Sequence, residues 1–215
     1  MVCYTIGHST RSLDEFIDIV KEYKIHCIVD VRNVPYAAPK YTEVFNRKFL
    51  EARLKDDGIN YICCSKELGA RRMEQGIIDK EKNIFFDKVI ECDLFKKGIH
   101  KVIELIKKGE RIAIMCSERN PLNCHRSILI GYILSKKGFC IEHIIDENNT
   151  KSQSWIEEEL FITYEPILKS KLVEISLQDI LHSVKYDDIS EKEVKKKIIE
   201  QGYRMKWREI NKNYN

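Results

Sequence analysis

The fold of this chain is decided between Arg111 and Ile145, where the sequence reads RIAIMCSERNPLNCHRSILIGYILSKKGFCIEHII. Residues 111–115 are a mostly apolar run typical of a buried strand, and a polar loop follows. Residues 124–137 have the apolar spacing of a helix that Gly138 ends, and residues 139–145 form another apolar strand. This strand, helix and strand predict two parallel strands joined by a right-handed crossover.

The same alternation extends towards the N-terminus. Further apolar runs predict strands at residues 2–6, 26–30 and 59–63. Helical patterns lie between the strands, at residues 13–23 and 46–56 and, as two segments, at 82–108. We therefore predict an α/β fold, with a three-layer, mostly parallel open sheet of about five strands flanked by helices.

Beyond residue 150 the chain becomes rich in Lys and Glu. Helical patterns at 152–162, 177–183 and 191–201 predict a small, basic C-terminal helical extension. We accordingly divide the chain into an α/β core over residues 1–150, which carries the site, and an extension over residues 151–215.

Composition restricts the class of protein. Hydrophobic residues make up 43% of the 215 residues and charged residues 33%, which suits a globular protein with a packed core. We find neither a bilayer-spanning run nor a secretory signal, so we expect a cytoplasmic protein that does not bind membranes. The eight cysteines include no CxxC pair, which predicts reduced thiols rather than a disulfide framework or a zinc ribbon.

Polar residues gather after the predicted strands, at the edge where open parallel sheets bind their ligands. Loops at the opposite edge hold ordinary turn residues such as Lys107 and Gly109. The residues that follow the strands include His8, Ser9, Thr10, Arg11, Asp30, Arg32, Arg71, Arg72, Cys116, Glu118, Arg119, Cys124, His125 and Arg126. This asymmetry favours an enzyme over a scaffold.

The densest cluster connects the strand at 111–115 to the following helix. Asn123 is the predicted N-cap of that helix, whose free N–H groups attract anions. Arg126 can add a bidentate contact to phosphate or carboxylate. A position at the helix start predicts a lowered pKa for the Cys124 thiol.

Two cysteine chemistries are weighed for this cluster. A tyrosine-phosphatase loop is excluded, because no Cys is followed by Arg six positions later. Sulfur transfer of the rhodanese type stays open, since Asp30-Val31-Arg32 and Cys116 each follow a strand, as similar residues do in that family.

Two further chemistries use the neighbouring side chains. A metal site built from Cys116, Cys124, His125 and His8 is not excluded, but its ligand spacing matches no standard zinc pattern, so we expect no cofactor. In acid–base chemistry, Asp30, Glu118 and His125 would carry protons while arginines hold phosphate.

His8 and Asp30 each allow two interpretations. His8 can bind phosphate or act as a base, or it can cap the following helix or hydrogen-bond to the backbone. Asp30 is either a catalytic or orienting carboxylate or the ion-pair partner of Arg32.

A set of motifs in a fixed order resembles the domain-of-unknown-function family 488 over about residues 1–146. The motifs are Ile6-Gly7-His8-Ser9-Thr10-Arg11, Val29-Asp30-Val31-Arg32-Asn33-Val34-Pro35, Leu68-Gly69-Ala70-Arg71-Arg72, Met115-Cys116-Ser117-Glu118 and Cys124-His125-Arg126. Ala70 departs from the family, which more often has a second Gly there. The resemblance implies a small bacterial or archaeal cytoplasmic protein, in a family where some members carry a loose DNA-repair label.

The resemblance also implies a site but supplies no reaction for it. The implied site residues are His8, Asp30, Arg32, Arg72, Cys116, Glu118, Cys124, His125 and Arg126.

The arginines carry more positive charge than one small carboxylate needs, which favours nucleic acid or a phosphate-bearing small molecule as partner. Tyr36, in the loop after the second strand, belongs to a group of aromatic and basic residues that can stack bases or pack the loop on the core. Lys195, Lys196 and Lys197 can contact phosphate or form a solvated helix face.

The leading hypothesis is an enzyme acting on nucleic acid or a nucleotide, with Asp30, Glu118 and His125 as acid–base groups and damaged or modified bases as substrates. The first alternative is a rhodanese-like sulfur transferase, or another Cys-dependent enzyme, using Cys116 or Cys124. The second is a nucleotide- or nucleic-acid-binding module without turnover.

Overall fold

The computed structural model describes residues 1–34, 43–71, 77–78, 84–181 and 191–212. The strands within these residues are β1 (Val2–Gly7), β2 (Cys27–Asp30), β3 (Asn60–Cys63), β4 (Ile112–Cys116), β5 (Cys140–Ile144) and β6 (Thr150–Ser152). They form one sheet in the order β3-β2-β4-β1-β5-β6. Neighbouring strands are parallel except for β5 and β6, which are antiparallel.

Helices connect the strands. They are α1 (Leu13–Glu22), α2 (Arg47–Asp56), α3 (Ser65–Leu68), α4 (Phe86–Glu91), α5 (Asp93–Lys107), α6 (Tyr132–Lys136), α7 (Gln153–Leu181) and α8 (Glu191–Lys212). Short 3-10 turns occur at Glu43–Phe45 and Pro121–Asn123, and a π-helical segment, Arg126–Gly131, continues directly into α6. Among the described residues, no helix has the length and apolar character that crossing a membrane requires.

The predicted α/β fold with a mostly parallel sheet is confirmed, and its five predicted strands lie within one residue of their predicted bounds. The sequence patterns missed β6, because three polar residues carry no strand periodicity. The helix predicted at 152–162 is the start of the longer α7, which continues through Pro166.

Side chains of β4 alternate between two hydrophobic cores, because successive residues of a strand point to opposite faces. Ile112 and Ile114 face the core that includes residues of α5 and the π-helical segment. Ala113 and Met115 face the core that includes residues of α1 and α2. The sheet is therefore covered on both faces, as a three-layer architecture requires.

The helices after residue 150 share the first of these cores. Tyr203 and Trp207 of α8 are fully buried in it, and the Trp207 indole donates to the Ile84 carbonyl at 2.7 Å. At the start of α7, the Gln153 side-chain oxygen Oε1 lies 3.0 Å from Nε2 of His143 in β5. The Gln153 side-chain nitrogen Nε2 donates to the Tyr203 hydroxyl at 2.8 Å. A buried polar connection therefore attaches these helices to the sheet.

The strand order creates a crevice between β2 and β4. From β2 the chain crosses to β3 on one side, whereas from β4 it crosses to β5 on the other. The intervening helices lie on opposite faces, since α2 belongs to one core and the π-helical segment to the other. Such a switch point is where open parallel sheets bind ligands, and Asp30 and Met115 are partners in register there.

Candidate active site

A pocket of about 290 Å³ opens at this crevice. Its lining is Arg32, Asn33, Val34, Arg71, Cys116, Ser117 and His125. Larger cavities of about 770 and 460 Å³ lie against α5 and between α6 and α8, but their described linings are dominated by lysines and carboxylates and hold no cysteine. Because the nucleophilic and cationic side chains meet at the smaller pocket, we treat it as the candidate site.

Cys116 and His125 form a side-chain pair at this pocket. The Nδ1 atom of His125 lies 3.7 Å from Cys116 Sγ and 3.8 Å from Cys124 Sγ. The other ring nitrogen, Nε2, lies 3.0 Å from the Val31 carbonyl oxygen, which can only accept a hydrogen bond. Nε2 is therefore the protonated nitrogen of the neutral ring, and the Nδ1 lone pair faces the two thiols.

The environment assigns the negative charge to Cys116. A hydrogen bond from the Cys124 thiol, the nearby Arg126 cation and the backbone N–H groups of Glu118 and Ser117 outweigh burial and lower the pKa of Cys116 to about 7. Burial and the adjacent Cys116 instead raise the pKa of Cys124. The sequence-based prediction of a lowered pKa for Cys124 is therefore wrong, because that thiol is buried away from solvent and donates to Cys116.

The loop between β4 and the π-helical segment is held by Arg126. Its fully buried guanidinium donates to the carbonyls of Glu118 at 2.5 Å and Arg119 at 3.0 Å, and to the Thr5 hydroxyl at 3.3 Å. These contacts fold the loop back so that Cys124 and His125 reach the end of β4. The Arg126 guanidinium is thus engaged by carbonyls of this loop.

The predicted N-cap at Asn123 is wrong. Asn123 ends a 3-10 turn whose own cap is Asn120, with the Asn120 side chain accepting from the Leu122 N–H at 3.0 Å. Cys124 is extended, and its carbonyl accepts from the N–H groups at the start of the next helix.

On the β2 side, Asp30 positions Arg32. The Asp30 carboxylate is fully buried, lies 2.6 Å from Arg32 Nη2 and accepts a hydrogen bond from the Tyr61 hydroxyl at 2.6 Å. Arg32 also donates from Nη1 to the Phe45 carbonyl at 2.8 Å. Arg32 lines the pocket, whereas Asp30 lies beneath it as the ion-pair partner.

His8 supports Arg32 from the β1 side. Its ring stacks on Phe45 with centroids 4.3 Å apart, and its Nε2 lies 3.4 Å from Arg32 Nη1. Burial, followed by the neighbouring Arg32 charge, lowers the pKa of His8 to about 4. A neutral His8 can accept from Arg32 at Nε2 while Nδ1 donates to the Ser9 carbonyl, 3.0 Å away.

Comparison with known families supplies one match. The profile described as "Domain of unknown function DUF488" matches residues 12–133. The chain belongs to this family. No curated protein and no solved structure matches the chain. The part that matches the DUF488 family includes Arg32, Cys116, Cys124 and His125, whereas His8 precedes it and α7 and α8 follow it.

Several other predicted site residues lie around this pocket without entering it. The Arg11 guanidinium donates to the carbonyls of Gly7 and Ile145. Ser9 has a left-handed backbone with φ of 51° and donates its N–H to the Ser117 carbonyl at 2.9 Å. Thr10, Glu118 and Arg119 are exposed, whereas Arg71 does line the pocket. Tyr36 and Arg72 lie outside the described residues.

The residues that support the site were not predicted from the sequence. Tyr61 lies inside a strand, where a tyrosine usually signals packing. Asn33, whose side chain accepts from the Arg71 N–H at 2.7 Å, follows Arg32 directly and was detectable from that position. The Val31 carbonyl that orients His125 has no side-chain signal at all.

Proposed function

We propose that the protein is a thiol enzyme in which Cys116 is the nucleophile and a small anionic compound is the substrate. The observation that carries this proposal is the chain of contacts from Cys116 to His125 and on to the Val31 carbonyl, at the floor of a pocket bordered by Arg32 and Arg71. A nucleophile, a base and a group that orients the base are the elements of covalent catalysis.

Sulfur transfer is the reaction class that fits this arrangement best. Nδ1 of His125 accepts the proton of the Cys116 thiol, and the thiolate attacks the outer sulfur of a sulfane-sulfur donor. A sulfur–sulfur bond to Cys116 forms, the donor's own bond to that sulfur breaks, and its electron pair leaves with an anionic group beside the arginines. A thiol acceptor then takes the outer sulfur and releases the Cys116 thiolate, so the cycle involves no net oxidation.

The position of Cys116 supports the same class. It ends a central parallel strand at the switch point of the sheet, as the nucleophile does in the rhodanese-like enzymes that the sequence motifs resemble. The backbone N–H groups of Ser117 and Glu118 approach its sulfur and stabilise negative charge there.

The hypothesis of nucleic-acid chemistry by Asp30 and Glu118 stays a prediction with less support. Asp30 is fully engaged with Arg32 and Tyr61, and Glu118 is exposed. Two of the arginines expected at phosphate, Arg11 and Arg126, donate to backbone carbonyls instead.

The test is to incubate metal-free protein with thiosulfate, a sulfane-sulfur donor with an anionic leaving group, and to measure its intact mass. We expect a gain of one sulfur atom that Cys116→Ser abolishes and that a thiol acceptor removes. Cys140→Ser is the matched control, because Cys140 is exposed at the opposite end of β5. No sulfur gain, or a gain that survives Cys116→Ser, would overturn the proposal.

A further inference from the structure

We propose that Cys116, Cys124 and His125 form a binding site for one thiophilic divalent cation, with Zn²⁺ as the expected ion and the fourth coordination position facing the arginine-lined pocket. This inference goes beyond the thiol reaction, and it rests on the arrangement of three ligand atoms rather than on turnover.

The spacing of the three ligand atoms suits a tetrahedral ion. Sγ of Cys116, Sγ of Cys124 and Nδ1 of His125 lie within 4.8 Å of one another, with sulfur–nitrogen separations of 3.7 and 3.8 Å. Zinc bonds of about 2.3 Å to sulfur and about 2.0 Å to nitrogen, at tetrahedral angles, place sulfur and nitrogen about 3.5 Å apart and the two sulfurs about 3.8 Å apart. To complete the site, each sulfur–nitrogen pair would contract by a few tenths of an ångström and the two sulfurs by up to about 1 Å.

The histidine is already oriented as a ligand. Metal-bound histidines usually donate their second ring N–H to a carbonyl or a carboxylate, which fixes the coordinating nitrogen. In this protein the Val31 carbonyl accepts from Nε2 and leaves the Nδ1 lone pair directed at the two sulfurs.

The charge balance is also favourable. Two thiolates neutralise the charge of one divalent cation, and metal binding releases their protons. In the described part of the chain, His8 does not belong to the cluster, because its Nε2 lies beside Arg32 instead.

Access explains why one coordination position would stay open. Cys124 is completely buried, whereas Cys116 and His125 line the pocket. Three protein ligands with an open fourth position are the pattern of an exchangeable or catalytic zinc ion, since structural sites have four protein ligands. A bound ion would take the Cys116 lone pair, so we expect Zn²⁺ to inhibit the thiol reaction and a chelator to restore it.

The test uses chelator-treated full-length protein and titrates it with Zn²⁺ and with Co²⁺ as a spectroscopic probe. We expect one ion per chain by elemental analysis, together with sulfur-to-cobalt charge-transfer bands. Cys124→Ser and His125→Gln should each weaken binding by about tenfold or more. Cys140→Ser, which changes a cysteine remote from the site, should bind as the wild type does.

A second measurement does not depend on variants that fold. Saturating Zn²⁺ should protect Cys116 of the wild-type protein from alkylation while leaving Cys140 reactive. Failure of the wild type to bind either ion stoichiometrically, or unchanged binding in both ligand variants, would overturn the metal site. If the protein binds metal but its metal-free form transfers no sulfur, the thiol reaction alone is overturned. If the metal-free protein transfers sulfur but no metal binds, the metal site alone is overturned.

Discussion

Replacing Asp30 by Asn should destabilise the protein strongly without changing the shape of the side chain. The Asp30 carboxylate is 0% exposed and its partner Arg32 is 5% exposed, so neither charge has much access to water. The amide of the Asp30→Asn variant would leave the guanidinium buried without a counterion and would direct an N–H donor towards other donors. Breaking a buried ion pair in this way costs about 3–5 kcal/mol of folding free energy.

Urea unfolding followed by circular dichroism measures this cost. With a urea m-value of about 1–3 kcal/mol per molar, the midpoint should fall by about 1 M or more. Asp14→Asn is the matched control, because it removes an ion pair of 2.7 Å with Arg53 at a position where the Asp14 side chain is 77% exposed. Solvent screens that pair, so its loss should have a much smaller effect.

A double variant separates lost charge compensation from general disruption. Adding Arg32→Met to Asp30→Asn removes the uncompensated cation and should recover part of the lost stability. If Asp30→Asn costs no more than Asp14→Asn, Asp30 does not neutralise Arg32 and its assignment as a positioning residue fails.

Three further perturbations test other parts of the structure. Burial lowers the pKa of His143 to about 3, so the stability that this residue contributes above about pH 6.5 should be lost as the pH falls towards 3. By pH 5 the wild type should lose about 2 kcal/mol more than His143→Gln, measured by urea unfolding. Equal losses in the two proteins would contradict the burial of His143. Gly7→Ala would place a methyl group 1.9 Å from the Glu118 carbonyl oxygen, so thermal unfolding should show a loss of about 1–3 kcal/mol, and an unchanged midpoint would refute this close approach. Cys124→Ala removes the hydrogen bond that is the largest cause of the lowered pKa of Cys116. The pH midpoint of Cys116 alkylation in metal-free protein should therefore rise from about 7. An unshifted midpoint would show that Cys124 does not donate to Cys116.

Much of the fold was predictable because its strands are short apolar runs between amphipathic helices. The position of the site was predictable for a related reason. Once the strands are parallel, residues such as Arg32 and Cys116 that follow them must lie at one edge of the sheet. The β6 strand had no such signal, since its three residues are polar and its pairing with β5 depends on a local turn.

The direction of individual side chains was not predictable from the same patterns. A buried arginine after a strand can hold a ligand or hold the loop, and Arg126 is satisfied by the carbonyls of its own loop. The close approach of Cys116 to Cys124 depends on that fold-back, which their separation in sequence does not reveal. The helical segment that has a side-chain cap in this loop is the 3-10 turn at Pro121–Asn123, and Asn120 is its cap. That cap was detectable, because proline favours the first position of a helical turn and Pro121 follows Asn120 directly.

The most direct test of the central claim compares two alkylating agents on metal-free protein, the anionic iodoacetate and the neutral iodoacetamide. A nucleophilic Cys116 beside Arg32 and Arg71 should be labelled before the other cysteines, and faster by iodoacetate than by iodoacetamide when both rates are scaled to those of a free thiol. Peptide mass spectrometry measures both rates, with exposed Cys140 as the internal reference. Labelling of Cys116 no faster than Cys140, or without a preference for the anion, would contradict a reactive thiolate in an anion-binding pocket.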